Sequence, residues 1–407
     1  MSGTERAKRA LRGGPLQGVR VIELTKVWAG PYAGKLLAFL GAEVIRVESV
    51  NSLDTTRTLT GKDWDNAPGW QAVNPEKLSV QIDIKAPEGR AIFLKLVETA
   101  DVVIENMRPG ALDRLGLGYE ALRAVNPDII CVSMGMYGND GPLAYQTGYA
   151  PLFAALGGVS ALVGYEGEAP SGMNIRYGDS TCGAASAFAT TIALNHRQRT
   201  GEGQFIDISF VEVLSSMIGD TIMDFTVNGV IPQCDGNRHS DMAPHGAYRC
   251  ADDEWIAIAI SDDAAWTALA DLIGSPDLID ALEYRTLAGR QAARAALDAR
   301  IGAWTIDRDA AALAGELQTI GVAAAKSLNS IELITDADLW ATGLYPSVTD
   351  INGEDRTILG PAWKLSRPAT LTRGSPRLGH DNDYVLGEIL GYSAEEREAL
   401  TATGVTR

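Results

Sequence analysis

Cysteine, histidine and cationic charge are all scarce in this 407-residue chain, and each shortage closes off a class of function. The four cysteines, Cys131, Cys182, Cys234 and Cys250, show no CxxC spacing, and a chain of this length does not need disulfide staples to hold its core. Buried thiols in a reducing, cytoplasmic compartment are expected. The four histidines, His196, His239, His245 and His380, have neither HxxxH nor HExxH spacing, so no metal site is expected. Lys and Arg total 35 against 52 Asp and Glu, a formal net charge of −17. That balance repels polyanions, so neither nucleic acid nor an anionic membrane surface is an expected partner. No apolar run reaches the ~18 residues that a membrane helix needs. The N-terminal MSGTERAKRALRGG lacks the apolar segment of a signal peptide. A GxSxG elbow and a GxGxxG turn between strand and helix are also missing, which argues against an α/β-hydrolase and a dinucleotide site.

Apolar residues, by contrast, are plentiful. At 46% of the chain they can fill more than one core, so two domains are expected. GVRVIEL (18–24), PYAGKLLAFLG (31–41) and AEVIRVE (42–48) read as strand, helix and strand, and the helix opens on proline and closes on glycine. The rhythm recurs in LSVQIDI (78–84), PEGRAIFLKLVETA (87–100), DVVIEN (101–106) and DIICVSM (128–134). Strands alternating with helices predict a parallel, doubly wound α/β sheet, with ligands beyond the carboxyl ends of the strands. An Ala-rich helix after Asp179 ends at Gly201 and feeds the strand QFIDISF. From about Gly246 the texture changes to a hairpin, AYRCADDEWIAIAI, and alanine-rich helices. The domain expectation is therefore 1–230 for the large domain, completed by a C-terminal return over 331–407, with a smaller α+β domain over 231–330.

Few residues in this pattern suit chemistry. Asp179, between Gly178 and Ser180 at the start of the long helix, reads either as a helix N-cap or as an ionised, partly desolvated nucleophile towards an activated acyl group. Ser180 and Thr181 are able to cap in its place. Arg46, Lys77 and Arg108 lie at strand ends, and together they would make a positive pocket for a phosphorylated ligand on an acidic protein. Ordinary surface charge is the alternative for all three. His239 and His245 flank a polar loop that could line a cleft.

These residues carry a resemblance. LQGVRVIELTKVWAGPYAGKLLAFLGAEVIRVE, VIENMRPGALDRLGLGYEAL, GDS before an Ala-rich helix, TGEGQFIDIS and APHGAYRCADDEWIAIAI resemble the class III CoA-transferase family, of formyl-CoA transferase and carnitine-CoA-transferase type, over nearly the whole chain. The resemblance implies a large Rossmann-like domain and a small domain in each chain, with two ring-shaped chains threaded into an interlocked dimer. It also implies Asp179 as nucleophile, forming an acyl-aspartyl anhydride and then an aspartyl-CoA thioester. No permanently bound cofactor is implied, because the coenzyme A thioester is itself a substrate. By the same carry-over Arg46, Lys77 and Arg108 contact the CoA phosphates, and Asn106 and Tyr137 line the channel.

Racemases of the same superfamily carry a histidine where this chain has Tyr149, which favours transferase over α-methylacyl-CoA racemase. Trp28, in TKVWAGP where the oxalate enzyme has glutamine, supplies apolar area and points to a larger, partly hydrophobic acid, with plain core packing as its alternative. VWAGP resembles the benzylsuccinate branch, which takes CoA from succinyl-CoA and assembles from two related subunits. A dicarboxylic carnitine-like or steroid-derived acid stays open. The expected substrate pocket comprises Trp28, Tyr149 and His245. The expected partners are an acyl-CoA, a carboxylic acid, and a second copy or a related subunit. A CoA-binding subunit without activity of its own is the remaining alternative.

Overall fold

Runs of β-branched residues form six parallel strands: β1 (Arg20–Leu24), β2 (Glu43–Glu48), β3 (Leu78–Gln81), β4 (Val102–Glu105), β5 (Ile130–Gly135) and β6 (Phe205–Ser209), in the sheet order β3-β2-β1-β4-β5-β6. The computed structural model describes residues 12–59, 61, 63–172 and 176–406. Ile22 pairs with Ile45 on one side and Val103 on the other, which sets the register of the central strands. Alternate residues face opposite layers. Val21, Val44, Val102 and Ile130 pack with Leu37 of helix α1 (Ala29–Phe39), while Ile22, Ile45, Val103 and Cys131 pack with Phe93 and Leu96 of helix α2 (Pro87–Val97). Both faces of the sheet are thus covered, as a doubly wound architecture requires. The remaining helices of the site are α3 (Ala150–Leu156), α4 (Tyr177–Thr200) and α5 (Gly219–Asn228).

The chain divides into two units. The first comprises Met1–Ser160, Gly172–Ile231 and Trp340–Arg407, and the second Ala161–Ser171 and Pro232–Leu339. In the first, the C-terminal segment covers the open edge of β3: Ser79 N donates to Asp381 (2.9 Å) and Gln81 N to Asn382 (2.8 Å). Those bonds satisfy backbone donors that an edge strand would otherwise leave free. In the second, β7 (His245–Arg249), β8 (Trp255–Ala259) and β9 (Ala323–Lys326) form an antiparallel sheet over helices whose buried faces include Trp266, Leu297, Ile301 and Leu313. Among the described residues, no helix is long and apolar enough to cross a membrane.

Candidate functional site

The sheet order reverses between β1 and β4, and the turns leaving these two strands open a crevice at the carboxyl edge. Two side chains fix the β1 turn. Asn106, just past β4, accepts from Lys26 N (2.7 Å) and donates back to Lys26 O (2.9 Å). Asp54 accepts from Val27 N at 3.1 Å. Between these clamps Val27 adopts φ 69°, a left-handed conformation that a β-branched residue takes only when its surroundings impose it. The next residue, Trp28, donates its indole N–H to Ser180 Oγ (3.1 Å), which ties the β1 turn to the start of α4.

Asp54 is held by a cluster of charges inside the sheet edge. Arg46 pairs with Glu23 (2.6 Å) and with Asp54, and donates to Thr25 O (2.8 Å). Lys77 pairs with Glu23 (2.8 Å) and donates to Pro31 O (2.7 Å). The side chains of Arg46, Lys77 and Glu23 are 1%, 0% and 0% exposed, and the Arg46 and Arg57 guanidiniums lie over the Trp70 ring. Burial pulls the Lys77 ammonium down to about 8 despite Glu23. Arg46 and Lys77, expected at the CoA phosphates, are thus buried and paired in this structure. Both cations are consumed by carboxylates beneath the surface, and they hold the turn that carries Trp28. Gly34 of α1 makes room for this cluster, since a Cβ there would come within 1.8 Å of Glu23 Oε2.

Asp179 is the third residue of α4, whose N-cap is Arg176, so it is not the cap. Nor do its neighbours cap: Ser180 Oγ accepts from Trp28, and Thr181 Oγ1 donates to Tyr177 O (2.8 Å). Among the described residues the Asp179 carboxylate accepts no hydrogen bond and forms no ion pair, although it is partly buried. Burial pushes its carboxyl up to about 6, against the pull of Arg176. At neutral pH it is an ionised carboxylate that is poorly solvated, which is the state a nucleophile needs. Close packing of α4 on α1 sets its position. A Cβ on Gly183 would lie 2.5 Å from Ala29 O, so the helices approach at a separation that glycine permits.

Asp179 faces a cavity of about 570 Å³ within the first unit. Trp28, Asn106, Arg108 and Tyr149 line it, with the Asn106 amide turned to the Lys26 backbone. Tyr149 stands at the mouth, 68% exposed. The Arg108 side chain is exposed and has no hydrogen bond or ion pair among the described residues. It also lines an adjoining hollow beside Glu105. Tyr137 packs against the hydrophobic core and is not part of the wall. His245 belongs to the second unit, where its Nδ1 lies 2.6 Å from Asn237 O and its ring 5.4 Å from His239; it lines a separate cavity of that unit.

Sequence reasoning missed the apolar wall, notably Met107, Met136, Phe153 and Phe210. It also missed Arg176, whose guanidinium lies 4.6 Å from the Trp28 ring centre. Among the described residues no histidine lines the Asp179 cavity, and no group of His, Cys, Asp or Glu suits a metal ion.

Residues 16–382 match CoA-transferase family III. The chain is 32% identical over 393 residues to the succinyl-CoA–D-citramalate CoA-transferase of Chloroflexus aurantiacus, covering 96% of this chain and 98% of that one. It is 34% identical over 387 residues to the succinate–glutarate CoA-transferase of Agrobacterium fabrum, covering 92% and 96%. Among solved structures, a CAIB/BAIF family protein from Brucella suis superposes with a TM-score of 0.86 at 32% identity, covering 93% of this chain and all of that one.

Proposed function

The chain belongs to CoA-transferase family III and is an enzyme of that class, and from that premise we propose that it moves CoA from an acyl-CoA donor to a carboxylic acid through covalent intermediates on Asp179. The observation that carries this reading is an unpaired, poorly solvated carboxylate facing a cavity at the switch point of the sheet. An Asp179 oxygen attacks the thioester carbonyl, the C–S bond breaks, and an acyl-aspartyl anhydride forms with release of CoA thiolate. The thiolate then attacks the aspartyl carbonyl, giving aspartyl-CoA thioester and the free donor acid. The acceptor carboxylate attacks that thioester to form a second anhydride. Returning thiolate takes the acceptor acyl group and leaves Asp179 as a carboxylate. Each step exchanges one activated acyl group for another, so no metal or nucleotide is consumed.

Succinyl-CoA is the donor we assign, because the named relatives from Chloroflexus aurantiacus use it. Incubation with succinyl-CoA and a panel of carboxylic acids tests the reading. A new acyl-CoA formed in step with release of succinate supports it, and hydrolysis alone or no turnover refutes it.

Arg108, unpaired at the rim, is the residue we assign to the CoA phosphates, to which a guanidinium offers paired N–H donors. Arg108→Ala is expected to raise the KM for acyl-CoA about tenfold with kcat within a factor of two, a loss of roughly 1.4 kcal/mol of uniform binding. Steady-state kinetics decide it, and an unchanged KM would remove Arg108 from the binding surface. The racemase alternative loses its support at the same site, because no histidine lines the described cavity.

The assembly we infer is the interlocked homodimer. Helix α5 has no buried residue, and it exposes Ile222, Met223, Phe225 and Val227, followed by Val230 and Ile231, an apolar surface of the kind that another chain covers. Sedimentation at twice the mass of one chain is expected, whereas a monomer would contradict it. A relative is the α subunit of a succinyl-CoA–L-malate CoA-transferase, so a requirement for a second gene product is the alternative outcome.

A further inference from the structure

Three cations stand near Asp179, and they are not equivalent. The Lys26 ammonium is spent on Ser52 O at 2.7 Å. Arg108 is assigned above to the CoA phosphates. Arg176 is left without a role. It is exposed, and it makes no side-chain hydrogen bond or ion pair among the described residues, with Asp179 or with any other carboxylate.

Its guanidinium is nevertheless placed. Its Cζ lies over the Trp28 ring, 4.6 Å from the ring centre. Trp28 in turn is fixed by its bond to Ser180 Oγ (3.1 Å) and by the clamped turn before it. Stacking occupies the face of a guanidinium and leaves its N–H donors free at the edge, in the planar fork that matches a carboxylate. Arg176 is the N-cap residue just before α4, and its charge is felt at the Asp179 carboxyl, whose proton it helps to release, so the two groups stand near each other at the helix start.

We propose that Arg176, held on the face of Trp28, binds the second carboxylate of a dicarboxylic acyl group while the activated end reacts at Asp179. The inference rests on the reading of Asp179 given above and narrows its substrate class. On the side formed by Met107, Met136, Phe153 and Phe210 the wall is apolar, so an unpaired distal carboxylate would be poorly accommodated against it. A monocarboxylic acyl group of the same length makes no such contact. Selectivity for the diacid therefore resides in one exposed side chain and the ring beneath it.

The test compares covalent labelling of Asp179 by succinyl-CoA and by butyryl-CoA, without acceptor, using rapid quench and peptide mass spectrometry. In the unaltered protein succinyl-CoA is expected to label at least ten times faster at equal subsaturating concentration. Arg176→Leu is expected to reduce that preference to within twofold, mainly by slowing the succinyl reaction, while CoA itself still binds. Arg176→Lys keeps the charge without the stacked fork and is expected to retain part of the preference. Trp28→Phe keeps a ring but loses the Ser180 bond, and it is expected to fall between Arg176→Lys and Arg176→Leu. Equal slowing of both donors in Arg176→Leu, or a preference that survives it, overturns this inference and leaves the nucleophile standing. No adduct on Asp179 from either donor in the unaltered protein overturns both.

Discussion

Asp179→Ala is expected to abolish CoA transfer, by at least about 10⁴-fold in kcat, because without the carboxylate no covalent intermediate forms and the remaining contacts only hold the substrates. The fold should survive the change. The Asp179 side chain makes no hydrogen bond or ion pair among the described residues, so its removal leaves no partner stranded. The sign of the pKa shift points the same way. Burial raises the Asp179 carboxyl from 3.8 to about 6, so the folded state binds its proton more tightly than the unfolded chain. Any stability from this group is present below the unfolded pKa and is lost as pH rises through about 6. At pH 8 the ionised carboxylate is thus a burden on the fold, and Asp179→Ala or Asp179→Asn should unfold at the same temperature as the parent or slightly above it. For the parent, the same shift means that the rate of Asp179 acylation climbs as pH rises through about 6 and levels off above it. Thermal melts and rapid-quench assays across pH 5 to 8 check both statements. A large drop in melting temperature, or transfer retained in Asp179→Ala, would count against the nucleophile.

Arg46→Ala is expected to act through stability. The guanidinium joins Glu23, Asp54 and Thr25 O in a cluster with almost no solvent contact. Its removal leaves the buried Asp54 with no ion-pair partner among the described residues and Glu23 with Lys77 alone, a loss that typically costs about 3–5 kcal/mol. The Trp70 ring also loses one of the two guanidiniums stacked on it. Function should decline as a consequence, since Asp54 would no longer be held against Val27 N and the turn presenting Trp28 would relax. A direct phosphate ligand would behave differently, raising the KM for acyl-CoA with little change in folding. Denaturant unfolding measured beside KM separates the two. A shifted KM with an unchanged unfolding midpoint would restore Arg46 to the binding surface.

That contrast shows where a linear reading succeeds and where it stops. Strand and helix runs were legible because the sheet is covered on both faces, so its strands read as continuous apolar segments bounded by glycine and proline. Asp179 was legible from its setting between a glycine and a long helix. Arg46 was read from its place near a strand end; in the structure it is buried among carboxylates, and a signal for that pairing was present. Glu23 and Arg46 sit in adjacent strands that are otherwise apolar, and they prove to be paired in register. Opposite charges inside doubly covered strands are best read as partners, since neither is buried alone without a large penalty. His245 lies in the second unit and is not among the residues lining the cavity of the first. Arg176 had no one-dimensional signature, because its placement depends on Trp28, which lies far away in the chain.

The proposed mechanism moves an oxygen atom as well as CoA. If the acceptor carboxylate attacks an aspartyl thioester and CoA then removes its acyl group, the bridging oxygen stays behind on the enzyme. Turnover with succinyl-CoA and an acceptor acid labelled with ¹⁸O in its carboxylate should therefore deposit heavy oxygen in the side chain of Asp179, seen by mass spectrometry of the peptide that contains it. Product formed without label in that peptide would mean that CoA passes between the acids by another route.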